Sequence, residues 1–123
     1  MRRLVAAVTV ALVAALTLGA CGSSSGSSGA GTDEPTKVID ITFKGSDVTP
    51  NGTDIDVKVG QPIEFDVSAD KPGEIHVHSS PTEQEFEYRA GSSTFQVNPV
   101  PAPTRVTVES HTLGKVLFIL VAR

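Results

Sequence analysis

The chain has 123 residues, of which 39% are apolar and 20% charged, with ten basic residues against fourteen acidic ones for a formal net charge of −4. An acidic balance with no basic stripe and no tryptophan excludes nucleic acid as a partner. A single cysteine excludes an intramolecular disulfide, so the thiol must be free, paired with another molecule or modified.

Met1-Arg2-Arg3 is a short basic segment, followed by an uncharged apolar and small-residue run from Leu4 to Leu18. As a helix that run would extend roughly 22 Å, short of the roughly 30 Å hydrocarbon core that a stable membrane span must cross. The pattern is that of a secretory signal peptide. Its end, Leu18-Gly19-Ala20-Cys21, resembles the lipobox of bacterial lipoproteins. That resemblance implies cleavage after residue 20 and lipidation of Cys21 as the first mature residue. An ordinary signal peptide whose cleavage site happens to hold a cysteine is the alternative. One acyl chain binds membranes marginally and two anchor stably, so the expectation is a cell-envelope domain held to the outer face of a membrane through Cys21.

Residues 21–36 form the next unit. From Gly22 to Thr36 the composition turns to Gly, Ser, Ala and Thr, closed by Asp33-Glu34-Pro35. Such a segment is a flexible tether with a mean reach of roughly 21 Å. Residues 37–123 remain, enough for one small core and one domain. Setting aside Arg2 and Arg3 leaves eight basic against fourteen acidic residues, a net charge near −6. Electrostatic attraction to anionic lipid is therefore not expected, and the lipid must do the anchoring.

Within that domain the apolar period is two. Ile39, Ile41 and Phe43 alternate with Asp40 and Thr42, and Ile55, Val57 and Val59 alternate with acidic and basic neighbours. The pattern recurs at Ile63, Phe65 and Val67, at Ile75 and Val77, at Phe95 and Val97, and at Val106 and Val108. Turn chemistry separates these runs at Pro50-Asn51-Gly52, Gly60-Gln61-Pro62, Asp70-Lys71-Pro72-Gly73, Ala90-Gly91 and Asn98-Pro99. The last run, Lys115 to Ala122, is apolar on both faces, which predicts a central, covered strand. About seven strands and no helix predict a single all-β sandwich. The run Glu83, Glu85 and Glu87, interleaved with Phe86 and Tyr88, is expected as an edge strand or loop whose charges oppose aggregation, with no part in a metal site.

Val57 to Val67 (Val-Lys-Val-Gly-Gln-Pro-Ile-Glu-Phe-Asp-Val), Glu74 to His78 (Glu-Ile-His-Val-His) and Thr94 to Val97 together resemble the cupredoxin-like domains of bacterial envelope proteins. The ending Arg105 to Leu117 is similar to the last two strands of that family, where a copper-ligand loop joins them. The resemblance implies a Greek-key β-sandwich, a first ligand histidine at His76 or His78 and a later one at His111. It also marks a departure. A blue-copper centre needs a thiolate and usually a thioether, yet the domain has no cysteine after Cys21 and no methionine after Met1, so a type 1 electron-transfer site is excluded.

His76 and His78 stand two residues apart, which on a strand puts both imidazoles on one face about 6.6 Å apart. Two readings stay open. In one, both rings sit on the solvent face opposite Ile75 and Val77 and need no partner. In the other, His76, His78 and His111, helped by Glu74 or Glu109, hold copper or zinc. Protonation-dependent repulsion among clustered imidazoles is a third use of the same residues. No phosphate loop, nucleophile motif or catalytic carboxylate pair is present, and an enzyme is not expected. The functions that follow are a lipid-anchored metal-handling module or, alternatively, a metal-free structural or interaction lipoprotein that binds an envelope partner.

Overall fold

The computed structural model describes residues 33–123; the expected signal peptide, Cys21 and all but the end of the expected tether lie outside the described residues. Nine strands follow in order: β1 (Lys37–Lys44), β2 (Asp47–Thr49), β3 (Thr53–Val57), β4 (Ile63–Ala69), β5 (Gly73–Val77), β6 (Gln84–Tyr88), β7 (Gly91–Val97), β8 (Thr104–Ser110) and β9 (Lys115–Ala122). They form a four-stranded sheet in the order β2-β1-β4-β7 and a five-stranded sheet in the order β3-β9-β8-β5-β6. No helix long and apolar enough to cross a membrane occurs among the described residues.

The all-β sandwich follows from the period-two runs, but the strand count rises from about seven to nine. One addition, β2, has three residues, too few to display a period. The other, β6, is the acidic run, which takes the edge of the five-stranded sheet beside β5. Each strand turns its apolar side inward. Ile39, Ile41 and Phe43 of β1 and Ile63, Phe65 and Val67 of β4 meet Ile75, Val77, Val106, Val108, Phe118 and Leu120 of the opposite sheet in one core. Phe65 and Phe118 form its centre, fully buried and edge to face at 5.6 Å.

The last strand only partly meets expectation. β9 is central, flanked by β3 and β8, and Leu117, Phe118 and Leu120 are fully buried. Among the described residues no further layer covers its other face: Val116 is 40% exposed, and Ile119 and Val121 are half-buried. Arg105 of β8 reaches across β9 to Asp54 of β3 at 2.8 Å, and its aliphatic stem supplies partial cover.

Glu34 pairs with Lys58 at 2.6 Å, and Gln61 Nε2 donates to the Pro35 carbonyl at 2.8 Å. Contacts with the sandwich thus begin ahead of β1, at the end where β1 and β4 start. The far end carries the β8–β9 turn.

Candidate metal centre

The outward face of the five-stranded sheet is the back of the core strands. Ile75 and Val77 of β5 point inward, so His76 points outward, followed by His78 just past the strand end. In the ladder His76 lies opposite Glu85 of β6 on one side and Glu109 of β8 on the other. Directly opposed residues on adjacent strands bring their side chains within about 5 Å, so register alone flanks one imidazole with two carboxylates.

Two local devices bring in the third imidazole. Between Val108 and Glu109 the β8–β9 register shifts, so that Val108 faces Phe118 and Glu109 faces Val116, leaving Leu117 as an extra residue in β9. A bulge of this kind re-aims side chains. Leu117 and Phe118 both enter the core, while Glu109 remains on the outward face. The turn that follows is closed by Ser110 Oγ accepting from Leu113 N at 3.2 Å and by Gly114 N donating to the His111 carbonyl at 3.3 Å. Gly114 has φ +60°, a conformation that strains any residue with a Cβ. The turn sets His111 two positions beyond Glu109 and over the same face.

The three imidazoles converge. Ring centroids are 4.4 Å apart for His76 and His78, 4.6 Å for His76 and His111, and 6.3 Å for His78 and His111. His76 Nδ1 is 3.1 Å from His111 Nε2, and Glu109 Oε1 is 2.7 Å from His78 Nε2 and 2.9 Å from His111 Nε2. One ligand atom from each of His76, His78, Glu109 and His111 falls within 4.8 Å of the others. Of the two carboxylates weighed from sequence, Glu109 is inside this set, whereas Glu74 stands behind His111, its Oε1 3.6 Å from Nδ1.

The acidic run also reaches the imidazoles. Glu83, just ahead of β6, has Oε1 3.2 Å from His78 Nδ1 and Oε2 3.0 Å from His76 Nε2. Glu85 Oε1 is 3.7 Å from the same His76 nitrogen. The 78–83 connection is pinned where it matters: Ser79 Oγ donates to the Thr82 carbonyl at 2.6 Å, and Gln84 Nε2 donates to Ser79 Oγ at 3.2 Å. Sequence reasoning missed Glu83 because its proximity depends on how a hairpin connection folds back, and no period encodes that.

Electrostatics follow from these contacts. Hydrogen bonding to Glu109, then to Glu83, raises the His78 pKa above its ordinary value. Both carboxyls are held below theirs, chiefly by their bonds to His78. His76 is only 7% exposed, and its Nε2 is buried without a hydrogen-bond partner: Glu83 Oε2 is close enough but out of line.

Copper and zinc take imidazole nitrogen and carboxylate oxygen as ligands, and the set of three imidazoles and Glu109 fits either metal. Ligands about 2.0 to 2.1 Å from a tetrahedral ion stand roughly 3.3 Å from one another, so side-chain adjustments suffice. A type 1 centre does not fit, since the chain's one cysteine and one methionine, Cys21 and Met1, precede the domain.

No model of a known protein family matches the chain, and no curated protein matches it in sequence. Solved structures do. A point mutant of amicyanin in its reduced Cu(I) form superposes with a TM-score of 0.52 at 10% identity, over 76% of this chain and 88% of that one. Dithionite-reduced auracyanin from the photosynthetic bacterium Roseiflexus castenholzii gives 0.52 at 11% identity, over 73% and 99%. The fold is cupredoxin-like. A multi-copper oxidase from Pediococcus acidilactici gives 0.50 at 11% identity over 74% of this chain, which spans about a quarter of that chain's length (26%). In this cupredoxin-like sandwich the likeness is one of architecture, and the donor groups are this chain's own.

Proposed function

We propose that this protein is a lipid-anchored module of the cell envelope that holds a copper or zinc ion through His76, His78, His111 and Glu109, without type 1 electron transfer. The observation that carries the reading is the convergence of four donor atoms, drawn from β5, the residue just past it, β8 and the β8–β9 turn, within 4.8 Å of one another. The donors sit on an outward sheet face, with His76 buried and His111 exposed. They lie toward the end of β8 opposite the end where the tether enters, so a domain held by its tether presents the site away from lipid.

The reading is of a binding module rather than an enzyme. The alternative, a metal-free interaction lipoprotein, draws on the short pairs that Glu109 and Glu83 make with the imidazoles, which partly satisfy the cluster without an ion. Calorimetric titration of residues 33–123 with Cu(II), Cu(I) and Zn(II) at neutral pH decides between them. Micromolar or tighter binding that is lost in His76→Ala, His78→Ala and His111→Ala is expected; no heat with any of the three ions would overturn the reading. Anchoring is tested separately. Cys21→Ser should abolish the lipid mass increment and detergent-phase partition, and identical behaviour of parent and variant would refute lipidation.

A further inference from the structure

Each imidazole of the cluster has one nitrogen turned toward the centre and the other turned toward a carboxylate outside it. For His78, Nε2 meets Glu109 at 2.7 Å while Nδ1 meets Glu83 at 3.2 Å. For His111, Nε2 faces Glu109 and His76 at 2.9 and 3.1 Å while Nδ1 faces Glu74 at 3.6 Å. For His76, Nδ1 faces His111 at 3.1 Å while Nε2 faces Glu83 at 3.0 Å and Glu85 at 3.7 Å. One carboxylate, Glu83, therefore reaches the rear nitrogens of two rings with its two oxygens.

We propose that Glu83 is a positioning residue that sets the tautomers of His76 and His78, so that the centre binds a divalent cation through His76 Nδ1, His78 Nε2, His111 Nε2 and Glu109. This rests on the metal-holding role proposed above and specifies its ligand atoms and the charge of its ion. A ligating imidazole that donates its other N–H to a carboxylate is held in one tautomer and made a stronger base. Neutral His76 with its proton on Nε2 would leave Nδ1 as the ligand, and the buried, unpartnered Nε2–H would point to the side where Glu83 Oε2 stands. Because the Glu83 side chain is 57% exposed, it has room to turn into line. Three neutral imidazoles and one ligating carboxylate, ringed by Glu83, Glu85 and Glu74, place several negative charges around the ion. That field attracts a doubly charged ion about twice as strongly as a singly charged one. The nitrogen and oxygen donors, with no sulfur, likewise suit Cu(II) or Zn(II) better than Cu(I).

The test uses the full chain purified in detergent, labelled with ¹⁵N at histidine and titrated with Zn(II). Proton–nitrogen correlation spectra of the loaded protein should show the metal-induced nitrogen shift at Nδ1 of His76 and at Nε2 of His78 and His111, with the opposite nitrogen of each ring protonated. In Glu83→Gln, Zn(II) affinity should fall ten- to a hundredfold, and the rear N–H of His78 should lose its downfield proton shift. Glu83→Asp should recover part of both. Cu(I), supplied under reducing conditions, should bind more weakly than Zn(II). Zn(II) binding through any other nitrogen set, unchanged affinity and spectra in Glu83→Gln, or Cu(I) binding tighter than Zn(II) would each overturn the inference while leaving the metal-holding role intact. Absence of any Zn(II) or Cu(II) binding would overturn both.

Discussion

The two faces of β5 are built from neighbouring residues and obey different physics. Inward, Ile75 and Val77 are fully buried among Phe65, Val108 and Phe118, where the free energy comes from apolar surface removed from water and depends little on which atom touches which. Outward, His76 and His78 are arranged by directional contacts of 2.7 to 3.2 Å that depend on tautomer and charge. The first face makes the fold and the second makes the site. The contrast places the imidazole cluster on the back of a sheet whose core is built from other residues.

The contrast is broken hardest from the inside. Phe118→Ala should destabilise the domain by about 3 to 5 kcal/mol, because it opens a cavity where Phe65 now packs edge to face. Denaturant unfolding measures the loss, and the variant's folded fraction should still bind metal as the parent does. His76→Ala should do the reverse: in chelator its stability should change by no more than about 1 kcal/mol, while the metal-induced rise in melting temperature disappears. If both substitutions lowered stability and metal response in proportion, the faces would not be separable.

Gly73→Ala probes the seam between them. A Cβ at that position would fall onto the Tyr88 ring, 2.6 Å from Cζ, and Tyr88 stacks on Phe43 at 4.6 Å. Overpacking should cost about 1 to 3 kcal/mol. Since β5 pairs with β6 from Gly73 onward, amide exchange should quicken along that pairing before it does in β4.

A pH series sharpens the comparison further, because only the outward face titrates. In the metal-free domain the folded His78 pKa is raised above its ordinary value of 6.5. Its contribution to stability is thus full below that value and is lost as pH rises through the raised one. Glu109 and Glu83 are lowered, so their contribution is present above the ordinary carboxylate value and is lost as pH falls through the lowered one. Melting temperature in chelator should therefore be highest between the carboxylate and imidazole ranges, near pH 5 to 6. With excess Zn(II) the trend above pH 6 should invert, since imidazoles must be deprotonated to bind. Parallel curves with and without the ion would contradict a metal centre at these residues.

The smallest effect concerns the tether. Limited proteolysis should remove the Gly/Ser-rich segment and stop near Asp33, a few residues ahead of β1, because Glu34 and Pro35 are held by Lys58 and Gln61. Mass measurement of the resistant fragment locates the stop, and resistance extending back through the segment would contradict a flexible tether.

How much of this was legible in the chain differs between the faces in the same way. The inward pattern is periodic and local, so the β-sandwich follows from alternation, the central place of β9 from a run apolar on both faces, and the edge as one of two places for the acidic run from its charges. The outward site depends on register. That His76 and His78 share a face is legible from their spacing, but the approach of His111 needs the β5–β8 pairing, the bulge at Leu117 and the turn ending at Gly114. Glu83 needs the folded-back 78–83 connection, and the exposure of Val116 needs the knowledge that no further layer among the described residues covers β9. None of these is a property of one strand read alone.

If the site holds an ion, three imidazoles from β5, its exit and the β8–β9 turn meet on it in the absence of a thiolate. Electron paramagnetic resonance of the Cu(II)-loaded chain tests it most directly, read together with the visible spectrum. Hyperfine structure from three imidazole nitrogens is expected, with a reduction by one nitrogen in each of His76→Ala, His78→Ala and His111→Ala, and only weak ligand-field absorption with no intense thiolate charge-transfer band. A signal unchanged by all three substitutions, or the spectrum of unbound aqueous copper, would contradict it.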